Sequence, residues 1–236
     1  MTQAGRDGSH DGGTYGSAVA AEGWQRVAGR TDLQPITERM LDLAGVGSGH
    51  RVLDVAAGTG EQTLMAARRV GPHGFVLATD IADRMLAYLD EAARNEGLTN
   101  VQTRLMDARA LELEPESFHA AICRLALMLI PERDKALAGI QRALKPGSSF
   151  YLRDIVFVST PHGPERDVAQ WADFNIKNHG FSRDSVVTHM RDEYSTFGWV
   201  VERMLTDVGF TLVSADYHAP LHGTYLLRKP KHGEQS

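Results

Sequence analysis

The sequence predicts an α/β protein built on a doubly wound sheet, mostly parallel with an antiparallel last strand. Three observations carry this. From residue 51 onward, short apolar runs alternate with stretches patterned as helices. The first run leads into a glycine-rich turn that opens the next helix. The last two runs are separated only by His218–His222, a spacing that suits an antiparallel hairpin. Strands alternating with helices of about 10–15 residues imply βαβ units and a parallel sheet. Their right-handed crossovers place helices on both faces.

Taken in order, residues 1–16 hold five glycines (Gly5, Gly8, Gly12, Gly13, Gly16) among polar residues and read as a flexible arm. Residues 17–29 suit a helix around Trp24. Asp32 is placed to cap a second helix, with Ile36, Met40, Leu41, Leu43 and Ala44 at helical spacing and Gly45 as its stop. Strands are expected at 51–55, 74–79, 101–105, 118–123 and 149–156, and helices at 61–70, 83–97 and 132–144. The rhythm then breaks. Residues 157–195 are polar and aromatic with no clear strand; 196–208 reads as a helix through Phe197, Val200, Val201, Met204 and Leu205; strands follow at 210–217 and 223–228. A short basic tail ends the chain.

The 236 residues suit one α/β domain, and 42% apolar composition supplies a sizeable core. A net charge of −5 argues against a protein that grips nucleic acid through phosphate contacts. The single cysteine, Cys123, can build neither a disulfide framework nor a thiolate zinc site, and no histidine pair has metal-ligand spacing. No signal-peptide pattern and no apolar stretch of roughly 18–20 residues is present. The expectation is therefore a cytoplasmic protein without metal, nucleic-acid or membrane partners.

The chemistry concentrates in Val52-Leu53-Asp54-Val55-Ala56-Ala57-Gly58-Thr59-Gly60-Glu61. Glycines let a backbone turn tightly and approach a ligand, and a loop at the carboxyl end of the first strand faces the crevice where open α/β sheets bind ligands. Asp54 sharpens this reading. It is a carboxylate inside an apolar strand, and burying it unpartnered costs several kcal/mol, so it should meet a cation or several N–H donors. Asp80 ends the second strand 26 residues later, where an acid suits ribose hydroxyls. Asp107 follows the third strand. Three acids at adjacent strand ends suit a cationic ligand with a ribose and an exocyclic amine.

With these pieces in view, residues 50–156 resemble the core of the class I S-adenosylmethionine-dependent methyltransferases, which have a Rossmann-like fold, and within them the UbiE-like small-molecule group. The matching segments are VLDVAAGTGEQT, VLATDIADRML, MDARAL, FHAAICRLALMLIP and LKPGSSFYLRDI, the last containing the turn Leu144–Gly147 before the fifth strand. The resemblance implies S-adenosylmethionine as cofactor and S-adenosylhomocysteine as product. It implies a loop of Ala56, Gly58, Thr59 and Gly60 against the methionine part, Asp80 on the ribose, and Asp107 with Ala108 at the adenine amine. Ile81 and Met85 would pack on the adenine. The place of Arg124 just after the fourth strand further suggests a partner for the cofactor carboxylate. Ala56 departs from the family's usual glycine by one methyl group.

In this fold the N-terminal segment, here 17–45, and the insertion 157–195 cover the substrate within a single domain, 17–236. That makes His179 and His189 candidate general bases, and Tyr15, Trp24, Trp171 and Tyr194 candidate walls of the acceptor pocket, with Phe174 and Phe181 also eligible. His218 and His222 flank the hairpin turn and read as surface residues; Cys123 reads as a small core residue. The acceptor expected is an O or N atom of a small specialised metabolite, the alternative being carbon methylation of a quinone-type ring. A non-catalytic S-adenosylmethionine-binding protein is a further alternative. A dinucleotide-dependent oxidoreductase would need a third glycine where the chain has Thr63. Monomer and homodimer both stay open.

Overall fold

The computed structural model describes residues 33–157, 164–179, 182–184, 196–218 and 222–234. The middle of the sheet follows from strands that are apolar on both sides. In β1 (Arg51–Val55) every residue after Arg51 is buried, because helices cover both faces. Parallel pairing joins β1 to β2 (Phe75–Asp80) and β4 (Phe118–Arg124), then β2 to β3 (Val101–Leu105) and β4 to β5 (Leu144–Phe157). Antiparallel to β5 runs β8 (His222–Arg228), which pairs in turn with β7 (Thr211–His218). The order is β3-β2-β1-β4-β5-β8-β7. The order in which successive strands are laid down reverses between β1 and β4, and ligands of such sheets sit outside the carboxyl ends of the strands at that point.

Successive residues of a strand point to opposite faces, and each face has its own helices. Val52, Ile122 and Tyr151 pack under α1 (Gln34–Leu43) and α2 (Glu61–Val70) through Met40, Leu41, Met65 and Ala66. On the other face Leu53, Val55, Phe150 and Leu152 meet α4 (Arg133–Ala143) and α6 (Gly198–Asp207) through Leu137, Ile140, Val201 and Leu205. A third helix, α3 (Asp83–Asn95), sets Leu89 and Ala93 against Ala78 and Leu64. Each large side chain so buried contributes about 1.5–3 kcal/mol of transfer free energy.

Four expectations are corrected. The strand expected from 149 starts at Leu144, because Leu144–Gly147 is a bulge rather than a turn outside the sheet. Between the pairs Phe118↔Leu144 and Ala120↔Ser149, β5 advances five residues while β4 advances two, and Gly147 turns the excess at φ +80°. Within 157–195 a 16-residue helix, α5 (Pro164–His179), was missed. Among its described side chains, Val168, Trp171 and Ala172 pack on Ile155, Phe157 and Phe197, a short apolar stripe in a sequence rich in polar residues. Residues Thr196–Phe197 are not helical; they form β6, parallel to the end of β5, and the helix begins at Gly198. Finally, α1 starts at Gln34 behind Leu33, without a side-chain cap and with Pro35 in its first turn. Asp32, the expected cap, lies outside the described residues, as do the arm 1–16 and the helix around Trp24.

Candidate functional site

The loop between β1 and α2 is held by its own backbone. Ala57 N–H donates to the Thr79 carbonyl at 2.9 Å, and Gly60 N–H to the Ala57 carbonyl at 3.1 Å. Ala56, Gly58 and Gly60 all take left-handed backbone angles, at φ +54°, +59° and +86°. The two glycines answer different demands. A methyl group on Gly60 would stand 2.1 Å from Leu89 Cδ1, so this position must stay bare for α3 to approach. A methyl on Gly58 would meet nothing within 4 Å, so the loop opens there onto free space. Thr59, between them, is half-buried.

The three acids lie at or near the carboxyl ends of adjacent strands, as the sequence implied, but do three different things. Asp54 is fully buried. In place of a cation or several N–H donors, the first turn of α2 supplies one N–H and one hydroxyl: Gln62 Nε2–H donates to Oδ1 at 2.6 Å and the Thr63 hydroxyl to Oδ2 at 2.5 Å. Burial outweighs both bonds and pushes the Asp54 carboxyl up to about 7. Asp80 receives the Gly58 N–H at 2.8 Å and the Ala82 N–H at 2.9 Å, which ties the glycine loop to the start of α3. Burial raises its carboxyl as well, against those two bonds. Asp107 is the most open of the three. Arg109 grips it through Nε at 2.9 Å, Nη2 at 2.6 Å and its own N–H at 2.9 Å, and holds its carboxyl below the usual range. Ala108 follows in a 3₁₀ turn, half-buried against the core.

Arg124, the last residue of β4, lies beside the loop's exit. Its Nη2–H donates to Glu61 Oε2 at 2.7 Å and its Nη1–H to the Thr37 hydroxyl at 2.7 Å, which joins α1, α2 and β4 at one point. The second Glu61 oxygen, Oε1, is buried with no partner among the described residues. Sequence reasoning missed Glu61, Gln62, Thr63 and Thr37. The first three were signalled by polar residues directly after the glycines, on the helix face that must cross β1; Thr37 was not legible at all.

Beyond β2 the large apolar Ile81 is 56% exposed while Met85 is buried with Ala82. Leu105, paired with Asp80 across β2 and β3, is 59% exposed and was also missed. Two exposed aliphatic side chains beside Asp80 make an apolar shelf at the strand tips.

Of the acceptor-side candidates, Trp171 is buried against Phe157 and Phe197, where it docks α5 on the sheet. Phe174 is 40% exposed. His179 is the last residue of α5. His189, Tyr15, Trp24, Tyr194 and Phe181 lie outside the described residues. Cys123 is buried, and burial drives its thiol far up, as a core residue requires. His222 departs from its surface reading: it is half-buried, and desolvation with Arg153 and His218 nearby pushes it down to about 4. Among the described residues no group of His, Cys, Asp and Glu is arranged to hold a metal, and no helix is long and apolar enough to cross a membrane.

Residues 47–202, well over half of the chain, match the family described as a methyltransferase domain. The chain belongs to this methyltransferase family. The ubiquinone/menaquinone biosynthesis C-methyltransferase UbiE of Pasteurella multocida is 31% identical over 74% of this chain and 67% of its own length. That of Methylococcus capsulatus is 37% identical over 52% of this chain and 46% of its own, so the chain spans about half of some relatives. A methyltransferase structure from Aquifex aeolicus superimposes with TM-score 0.68 over 89% of this chain and 98% of its own, at 19% identity. A Haemonchus contortus phosphoethanolamine N-methyltransferase gives 0.73 over 92% of this chain and 58% of its own, at 18% identity. The fold is that of class I methyltransferases, and the cofactor is S-adenosylmethionine.

Proposed function

We propose that this protein transfers the methyl group of S-adenosylmethionine to a ring carbon of a small quinol- or phenol-type acceptor. The observation that carries cofactor use is the series along the strand tips: an open glycine loop, Asp80 beside it, and an orphaned buried carboxylate oxygen on Glu61 next to Arg124. The residues fit the group. Glu61 Oε1 lacks the donor that an α-ammonium would supply. Arg124, paired on only one side with a carboxylate, has N–H groups for the α-carboxylate. The Asp80 carboxylate would take the ribose hydroxyls, and Ile81 and Leu105 offer an apolar shelf for the adenine, with Met85 buried close by. Asp107 keeps acceptor capacity for the adenine amine beyond its Arg109 contacts.

When bound, S-adenosylmethionine supplies a sulfonium methyl that is already electrophilic. The chain's own work is therefore to align the acceptor with that methyl and to keep water out. Asp54 lies beneath the loop, too deep to touch a ligand directly; it anchors the first turn of α2 and adds negative potential under a cationic ligand. A base is needed only where the acceptor must lose a proton, and His179 and His189 stay candidates for that step.

The names of the UbiE relatives favour carbon over the oxygen or nitrogen acceptors expected from sequence. Incubation with ¹³C-methyl-labelled S-adenosylmethionine and a demethylated quinol, followed by NMR of the product, tests this. A methyl bonded to ring carbon is expected. A methyl bonded only to oxygen or nitrogen would return the assignment to the specialised-metabolite class. Tight binding of the cofactor with no transfer to any acceptor would favour a binding protein.

A further inference from the structure

Most basic side chains near the strand tips are neutralised. Arg124 is held by Glu61, and Arg109 by Asp107 and Glu132. Even the hollow of about 480 Å³ beside the 3₁₀ turn, lined by Arg109, Lys135 and Arg142, has its cations taken, Lys135 by Glu132 and Arg142 by the Leu111 carbonyl. Arg153 is different. It is half-buried on β5, directly beside Arg124 in the β4–β5 register, and among the described residues no carboxylate pairs with it. Its neighbours are a second guanidinium, which repels it, and Tyr151, two residues before it on the same face of the strand.

The surroundings are assembled by strand parity. Opposed residues of an antiparallel pair share a face, so Tyr151, Arg153 and Ile155 stand with Leu226, Thr224 and His222. This is the face that carries Arg124, on the acceptor side of the proposed methionine position. Burial and the nearby charge of Arg153 keep the His222 imidazole neutral, so it can donate or accept one hydrogen bond without adding charge. Asp216, across from Thr224, is exposed and makes no ion pair with Arg153. A half-buried guanidinium with hydroxyl and imidazole neighbours but, among the described residues, no counter-ion is a ready partner for a planar or tetrahedral oxyanion.

We propose that Arg153, flanked by Tyr151, Thr224 and His222, is the seat for an oxyanion carried by the methyl acceptor: a carboxylate, a phosphate or a phenolate. The seat lies one strand over from Arg124, so it holds the charge of the acceptor beside the cofactor's amino-acid end. The inference rests on the methyltransferase reading of the strand-tip crevice and deepens it by naming a charge that the acceptor must carry.

Calorimetry on protein saturated with S-adenosylhomocysteine tests it, with sodium benzoate, inorganic phosphate and neutral benzamide as probes. At least one of the two anions is expected to bind, and benzamide is not; preference between the anions tells an organic carboxylate seat from a phosphate seat. Arg153→Met should weaken the anion by about tenfold or more while S-adenosylhomocysteine affinity stays within about twofold. Arg153→Lys, which keeps the charge but loses the fork, should fall between. Retained S-adenosylhomocysteine binding shows that each variant is folded. Equal anion binding by Arg153→Met, no anion binding by the wild type, or competition between the anion and S-adenosylhomocysteine would each overturn the seat; the last would move the anion to Arg124. Failure of the wild type to bind S-adenosylhomocysteine would bring down the cofactor reading beneath it.

Discussion

Replacing Asp54 with asparagine should stabilise the cofactor-free protein, and the gain should grow with pH. The carboxylate is fully buried and its pKa is raised to about 7 from 3.8. A raised pKa means that the folded state favours the protonated acid, so the contribution to stability is complete below the unfolded value and is lost as pH rises through the folded one. Every tenfold difference in proton affinity between the folded and unfolded chain corresponds to about 1.4 kcal/mol. Relative to its protonated form, Asp54 then costs about 2 kcal/mol at pH 5 and about 4 kcal/mol at pH 8. Asparagine mimics the protonated acid and keeps both contacts, accepting from Gln62 Nε2–H and donating to the Thr63 hydroxyl. Urea denaturation of both proteins at pH 5 and pH 8 measures the gap; comparing variants cancels the titration of Asp80 and every other shared group. At pH 8 the same change should weaken S-adenosylmethionine by about tenfold, because the negative charge of the ionised carboxylate beneath a cation is removed. A gap that stayed constant with pH, or an asparagine variant less stable at pH 8, would refute the claim that burial dominates at Asp54.

Three further outcomes follow from the same geometry. Gly60→Ala should destabilise by more than about 2 kcal/mol, from Leu89 overlap added to backbone strain, while Gly58→Ala should cost only the ~1 kcal/mol of a left-handed alanine; thermal unfolding separates them. Ala56→Gly should raise stability by about 1 kcal/mol, since Ala56 already sits at φ +54°. Arg124→Met should weaken S-adenosylhomocysteine by about 10–100-fold in calorimetry, with stability lowered as well because it leaves Glu61 unpaired in a largely buried position.

The mostly parallel sheet and its strands were legible because a buried parallel strand leaves an apolar run that nothing else explains, and the glycine loop with Asp54, Asp80 and Asp107 pointed to the edge proposed here to hold the cofactor. The departure at Ala56 was also visible, although only the backbone shows that the loop still turns left-handed there. What the sequence could not show was pairing across the fold. Thr37 meets Arg124 over 87 positions of chain, and Arg153 is set beside a second cation, with no carboxylate among the described residues to pair it, only when β5 lies between β4 and β8. Helix α5 escaped because a single turn of apolar contacts is too short a signal for periodicity. Local pattern determined which elements form and where their loops fall, since those depend on neighbours within a few residues. Tertiary structure alone decided which charges are neutralised and which stay free, because electrostatic partners are chosen by distance in space and by burial, neither of which a linear chain records.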